Sequence, residues 1–358
     1  MKRRSDRNPL HVLSGAAFAL LLSLLAFSPP VTRAATVCVN AGDIVGLQTA
    51  LANAANNSED DVIELEVGEY SMPGNFPLYY SASAEVHSLT IEGGYSADFS
   101  GPCGSPPTVP DAALTVLDGG IFRIHMAGAG SFTLRGITIQ NTFSTDPLDP
   151  PVEIGGYNNA TGTFTVQHAM FLGNSSTTKA AVYIFAGDGG LFIQDALFAN
   201  NQSTSASESA VHVGSLSTGG SFCTVILNST FANNSSPMAP ALDVHTQMCD
   251  TLAANDIFWH GVAGAVQFDV PQSTYLANDD FNDLSESANA AQASALLSVD
   301  PLFYPDYSLH DLSPLRDKGF AFSLESYDVV GYPRVDGANP DIGAFETHDV
   351  IFANGFEL

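Results

Sequence analysis

The chain has 358 residues, 45% of them apolar, with 11 basic and 38 acidic side chains and a formal charge of −27. Such a charge repels nucleic acid, anionic lipid surfaces and polyanionic sugars, which excludes them as attractive partners. The apolar fraction and the scattered charges exclude a disordered chain.

The first element in chain order is a leader. Lys2, Arg3, Arg4 and Arg7 precede the apolar stretch VLSGAAFALLLSLLAF, which ends at Pro29-Pro30 and the small-residue site TRAAT. Basic, apolar and cleavable segments in that order predict a signal peptide over residues 1–34 and a secreted or cell-surface protein. Without the leader, six basic residues face thirty-seven acidic ones, a formal charge of −31. No later segment has the length and hydrophobicity of a membrane-spanning helix, and a monomer is expected.

Asp43 stands where it would cap a helix over IVGLQTALANAA, in which Ile44, Leu47 and Leu51 share one face. This predicts an N-terminal helical cap within residues 35–60, covering a first rung that begins at DVIELEV.

Residues 61–295 carry a repeat. An aliphatic residue stands five positions before Phe in Val166/Phe171, Ile193/Phe198, Ile226/Phe231 and Leu276/Phe281. Leu134/Ile139 and Ala253/Phe258 are weaker copies. Phe-x-x-Asn recurs as FLGN, FANN and FANN, and a second element, PVEI, AVYI, AVHV, ALDV and AVQF, lies upstream of each copy. Short period-two segments at a long, loop-variable period predict strands that stack in parallel as the rungs of a coil. A β-propeller would need about forty residues and four strands per blade. Three positions before each Phe stand His168, Asp195, Asn228, Asn255 and Asn278. These residue types tolerate a left-handed corner and predict a polar ladder along the stack, with the Phe column inside.

Four cysteines in an exported chain predict two disulfides. Cys223 and Cys249 are about one rung apart in sequence, which predicts their pairing and leaves Cys38 with Cys103. There is no C-x-x-C and no zinc-type spacing.

These repeats resemble those of right-handed parallel β-helix proteins of the pectin-lyase-like fold. Phe-x-x-Asn alternating with Ala-Val-like strands is similar to the repeat of chlamydial polymorphic membrane adhesins. The segments DPLFYPDYSLHDLSPLRDKG and GYPRVDGANPDIGAFE resemble the terminal module of secreted bacterial choice-of-anchor Q proteins, with SPLRDKG departing from a family pattern nearer SPAIDAG. The resemblance implies an all-β right-handed parallel β-helix, with a C-terminal module over 296–349 closing the solenoid and a short tail at 350–358. It also implies that a ligand would lie in the groove over the first strand, and β-helices of this kind include both enzymes and adhesins.

In that groove, Val182 and Ile184 point inward, so the outward rows read Glu153, Tyr183, His212, Asp243, Gln267 and Gly155, Phe185, Gly214, His245, Asp269. Glu153 and Asp243 are three rungs apart, roughly 14 Å, too far for either glycosidase geometry. Asp243 and Asp269, one rung and two residues apart, should be roughly 8 Å apart, within the inverting range. His212 and His245 flank Asp243 and would assist proton transfer. None of the six remaining basic residues (Arg123, Arg135, Lys179, Arg316, Lys318 and Arg334) falls on the central outward rows, which argues against a lyase of pectate type. Tyr183, Phe185 and Trp259 are candidates for stacking on sugar rings. Acid-rich loops leave calcium as a candidate ion without any EF-hand spacing. The expected function is therefore a non-catalytic, adhesin-like surface interaction with a glycan or a protein. The alternative is an inverting glycoside hydrolase or a polysaccharide lyase.

Overall fold

The computed structural model describes residues 35–82, 86–96, 103–157, 159–217, 222–260, 265–269, 273–287, 290–321 and 326–348. The expected leader, 1–34, and tail, 350–358, lie outside the described residues. Among the described residues no helix is long and apolar enough to cross a membrane.

The chain is a parallel β-helix with three sides. The first side stacks Val152–Gly156, Val182–Phe185, Val211–Ser215, Leu242–Thr246 and Val266–Asp269, each parallel to the next and in register. The second and third sides come from strands that bend once. Phe164–Leu172 and Leu191–Ala199 pair at Phe164–Gln167 with Leu191–Gln194, then again at Ala169–Leu172 with Ala196–Ala199. Between the paired stretches stand His168 and Asp195, with φ of 44° and 50°. Asn228, Asn255 and Asn278 take φ of 48°, 59° and 59° at the same corner. The left-handed turn costs these residues little, and it lets the strand change sides without a loop.

The interior follows from the alternation. Phe171, Phe198, Phe231, Phe258 and Phe281 are all fully buried. Their rings stack at centroid distances of 4.7, 4.6, 5.5 and 4.8 Å, close to the strand spacing itself.

The expected corner column carries a ladder bond, and a second, continuous ladder lies beside it. Within the corner column, Asn255 Nδ2 donates to Asn228 Oδ1 at 2.9 Å. The continuous ladder uses the Asn of Phe-x-x-Asn. Asn174 Nδ2 donates to Asn201 Oδ1 and Asn201 Nδ2 to Asn234 Oδ1, both at 2.9 Å, and the same oxygens accept the backbone amides of Asn174 and Asn201. In each FANN the first Asn, Asn200 or Asn233, makes a second left-handed corner with φ of 57° or 53°. The second Asn turns inward and bonds the stack.

The first corner is instead a docking line for the C-terminal segment. His168 Nδ1 meets the Asp328 carbonyl at 2.9 Å, Asp195 pairs with Arg334, Asn255 brackets the backbone of Phe320, and Asn278 donates to the Lys318 carbonyl. Residues 292–297 continue the stack, pairing with the strands before them. After them the chain turns back along the third side, where Val329, Ala344 and Phe345 pack on Met170, Leu197 and Ala199.

At the other end, the helix Ile44–Ala54 is capped by Asp43 and buries Leu47, Ala50, Leu51 and Ala54. The coil begins before it. Ala35–Val39, expected as part of the cap, is a strand paired with Asp61–Leu65. Both predicted disulfides form, with Cα separations of 4.9 Å for Cys38–Cys103 and 5.8 Å for Cys223–Cys249.

Candidate functional site

The strand register places two outward rows side by side on the first side. One runs Tyr79, Arg123, Glu153, Tyr183, His212, Asp243, Gln267. The other runs Ser81, His125, Gly155, Phe185, Gly214, His245, Asp269. All eight groove residues expected from the sequence lie on these rows, in the expected order.

The middle of the face is a platform of rings. Tyr183 and His212 stack nearly parallel at 4.9 Å. Phe185 lies 5.7 Å from Tyr183, 5.8 Å from His212 and 6.3 Å from His245. Phe185 and His245 are two rungs apart, roughly 9.6 Å at the strand spacing, so their rings lean toward each other over Gly214. A Cβ there would run into the His245 carbonyl, and the row stays open at that step.

Every histidine on the two rows is paired with a carboxylate of the next rung. His212 Nδ1 is 2.9 Å from Asp243 Oδ2, His245 Nδ1 is 3.1 Å from Asp269 Oδ2, and His125 Nε2 is 3.2 Å from Glu153 Oε2. Asp243 and Asp269 are one rung and two residues apart, as expected, but each is turned toward its own histidine. Asp269 is 57% exposed and Asp243 21%.

Two expectations need correction and one needs extension. Glu153 is not an exposed groove residue: it is 3% exposed, because Tyr157 folds back from the loop and donates its Oη to Glu153 Oε1. The Tyr157 ring fills the space over Gly155, coming within 2.5 Å of where a Cβ would stand. Burial works to raise the Glu153 carboxyl, but the His125 and Tyr157 hydrogen bonds and the Arg123 charge outweigh it and hold it below the usual range. Burial, then the Glu153 charge, pushes the Tyr183 phenol up to about 12.

Second, the rows extend upstream of Glu153, and a basic residue stands there, beyond the central rows. Arg123 lies one rung before Glu153, 3.9 Å from its carboxylate, and is held by Asp149 at 3.0 Å and by the carbonyls of Asp149 and Pro150. It offers little cation to a ligand. Third, Trp259 is on the third side, against Ile257, Leu315 and Ile342, away from the face.

Sequence reasoning missed Tyr79, Arg123, His125 and Tyr157. The signal for Arg123 and His125 was present: FRIHM alternates like AVYI, with Phe122 and Ile124 buried, but lacks its leading Ala. Tyr157 had none, since it reaches the face from a loop.

Among the described residues, the group of potential metal-ligand atoms within 4.8 Å of one another is Cys38, Glu64 and Cys103. The disulfide occupies both sulfurs, which leaves one carboxylate and does not fit a metal site.

No protein-family model and no curated protein matches the chain. Among solved structures, a crystal structure of pectate lyase Pel9A aligns over 89% of this chain and 98% of its own, at 13% identity and a TM-score of 0.24. At that score the likeness carries no weight for chemistry, and the description of the fold rests on the strand register.

Proposed function

We propose that the chain is an exported surface protein, adhesin-like and of the choice-of-anchor type, whose first-side face binds a neutral glycan without cleaving it. One observation carries this reading. The rings of Tyr183, Phe185, His212 and His245 form a continuous aromatic platform, bordered by the polar groups of Asp243, Gln267 and Asp269. Sugar rings bury their C–H faces on aromatic planes, and carboxylates and amides accept and donate to their hydroxyls. The formal charge of −27 and the engaged state of Arg123 disfavour a polyuronate.

The runner-up is an inverting hydrolase using Asp243 and Asp269, favoured by their one-rung offset. Glycan-array binding by the exported protein, followed by an assay for reducing ends and unsaturated products on every hit, separates the two. Binding lost in Tyr183→Ala and Phe185→Ala without any product supports the first reading. Turnover abolished in both Asp243→Asn and Asp269→Asn supports the second.

A further inference from the structure

Upstream of the ring platform, the face carries a chain of titratable groups that glycan stacking does not use. Tyr79 Oη lies 3.3 Å from His125 Nδ1, and His125 Nε2 lies 3.2 Å from Glu153 Oε2, close though imperfectly aligned. The second carboxylate oxygen accepts from Tyr157 Oη. Exposure is graded along the chain. The side chains of Glu153 and His125 are 4% and 21% exposed, and Tyr79 is 42% exposed. A buried anion behind a half-buried imidazole behind an exposed hydroxyl is the order in which a carboxylate orients a base and the base takes a proton.

Tyr79 is also held from behind. It stands on the strand Gly68–Ser81, and its backbone is bracketed by Gln48 of the capping helix. Gln48 Oε1 accepts from the Tyr79 amide at 2.9 Å, and Gln48 Nε2 donates to the Tyr79 carbonyl at 3.1 Å. The helix thus fixes the residue at the head of the relay as well as covering the coil. With its proton on Nε2, toward Glu153, the imidazole would turn its Nδ1 lone pair to Tyr79 Oη. Tyr157 is different: burial and its bond to Glu153 push its phenol far up, so it stays a donor.

We propose that Tyr79, His125 and Glu153 form an acid–base relay that makes Tyr79 Oη a reactive hydroxyl, placed to exchange a proton with a hydroxyl of a sugar on the first-side face. The sugar as ligand rests on the glycan reading; the relay does not.

An aryl sulfonyl fluoride tests the relay without any glycan. In the labelling step His125 Nδ1 takes the phenolic proton, Tyr79 Oη bonds to sulfur, the S–F bond breaks and fluoride leaves. Tyr304 and Tyr332 are the internal controls. They are 39% and 49% exposed and touch His310 and His348 by ring contact. Tyr79 should label about 100-fold faster than either, the low end of what a positioned general base supplies. In His125→Ala and Glu153→Gln, with unchanged circular dichroism, Tyr79 should fall to the control rate. If Glu153→Gln does not fold, the half-buried His125→Ala decides. Labelling of Tyr79 at the control rate, or labelling unaffected by His125→Ala, overturns the relay. Fast, His125-dependent labelling that a bound glycan fails to block keeps the relay but removes Tyr79 from the ligand face.

Discussion

Phe198 and Phe231 stack with ring centroids 4.6 Å apart and planes inclined by 3°. Each rung from Phe171 to Phe281 thus contributes one aromatic ring to a continuous interior column, and the apolar surface of a rung is covered by its neighbours. Phe231→Ala should therefore cost about 3–5 kcal/mol in denaturant melts. Tyr183→Ala, on the half-exposed outer face, should cost clearly less. The reverse ranking would exchange the inside and outside of the coil.

The two Asn of FANN should respond differently to the same change. Asn200 supplies a left-handed corner at φ 57° and a bond to Tyr307, so Asn200→Gly should cost less than about 1 kcal/mol. Asn201 is buried and bonds the rungs on either side. Asn201→Gly strands several of those partners, at about 1–3 kcal/mol for each buried group left unpaired. Equal costs at the two positions would contradict the assignment of the ladder.

Much of this fold was legible because strand alternation and stacking are local rules repeated many times. The spacing of Phe171, Phe198 and Phe231 marks the period, and the outward rows from Tyr183 to Asp269 follow from it. What was hidden depends on distant or loop-borne partners. The corner column was readable as left-handed backbone, but nothing near Asp195 announces Arg334, 139 residues on. Glu153 reads as an outward groove residue until Tyr157 covers it. Arg123 and His125 escaped because their strand departs from the Ala-Val pattern.

Arg334 is buried between Asp195 and Glu346 and donates to the carbonyls of Gly343 and Ala344. Arg334→Met would leave the buried Asp195 carboxylate without its cation, a loss of about 3–5 kcal/mol. Hydrogen exchange should show the segment 326–346 opening ahead of the Phe column. If that segment stays as protected as the column, it does not depend on Arg334.

Stability should fall toward alkaline pH. Burial raises the carboxyls of Asp256 and Asp279. It also pushes Asp280 to about 7 and, together with the Asp341 charge, Glu346 to about 8. These folded-state values lie above the unfolded ones, so the contribution is complete below about pH 4 and is lost as pH rises through 7–8. Melting should be higher at pH 5 than at pH 9. Asp280 Oδ1 accepts from the Val299 amide and Oδ2 is buried without a hydrogen-bond partner. Asp280→Asn keeps the acceptor and replaces the other oxygen by a donor. It should raise the midpoint at pH 9 and leave pH 4–5 nearly unchanged; a drop at both would show that Asp280 is ionised in the fold.

The most direct measurement of the central claim is equilibrium binding of a neutral oligosaccharide array hit to the protein, with product release followed in the same sample. The account predicts saturable binding that weakens at least about tenfold, or about 1.4 kcal/mol, in Phe185→Ala, that is insensitive to salt, and that proceeds without new reducing ends. Binding that survives Phe185→Ala and Tyr183→Ala unchanged, or turnover that vanishes in Asp243→Asn and Asp269→Asn, would contradict it.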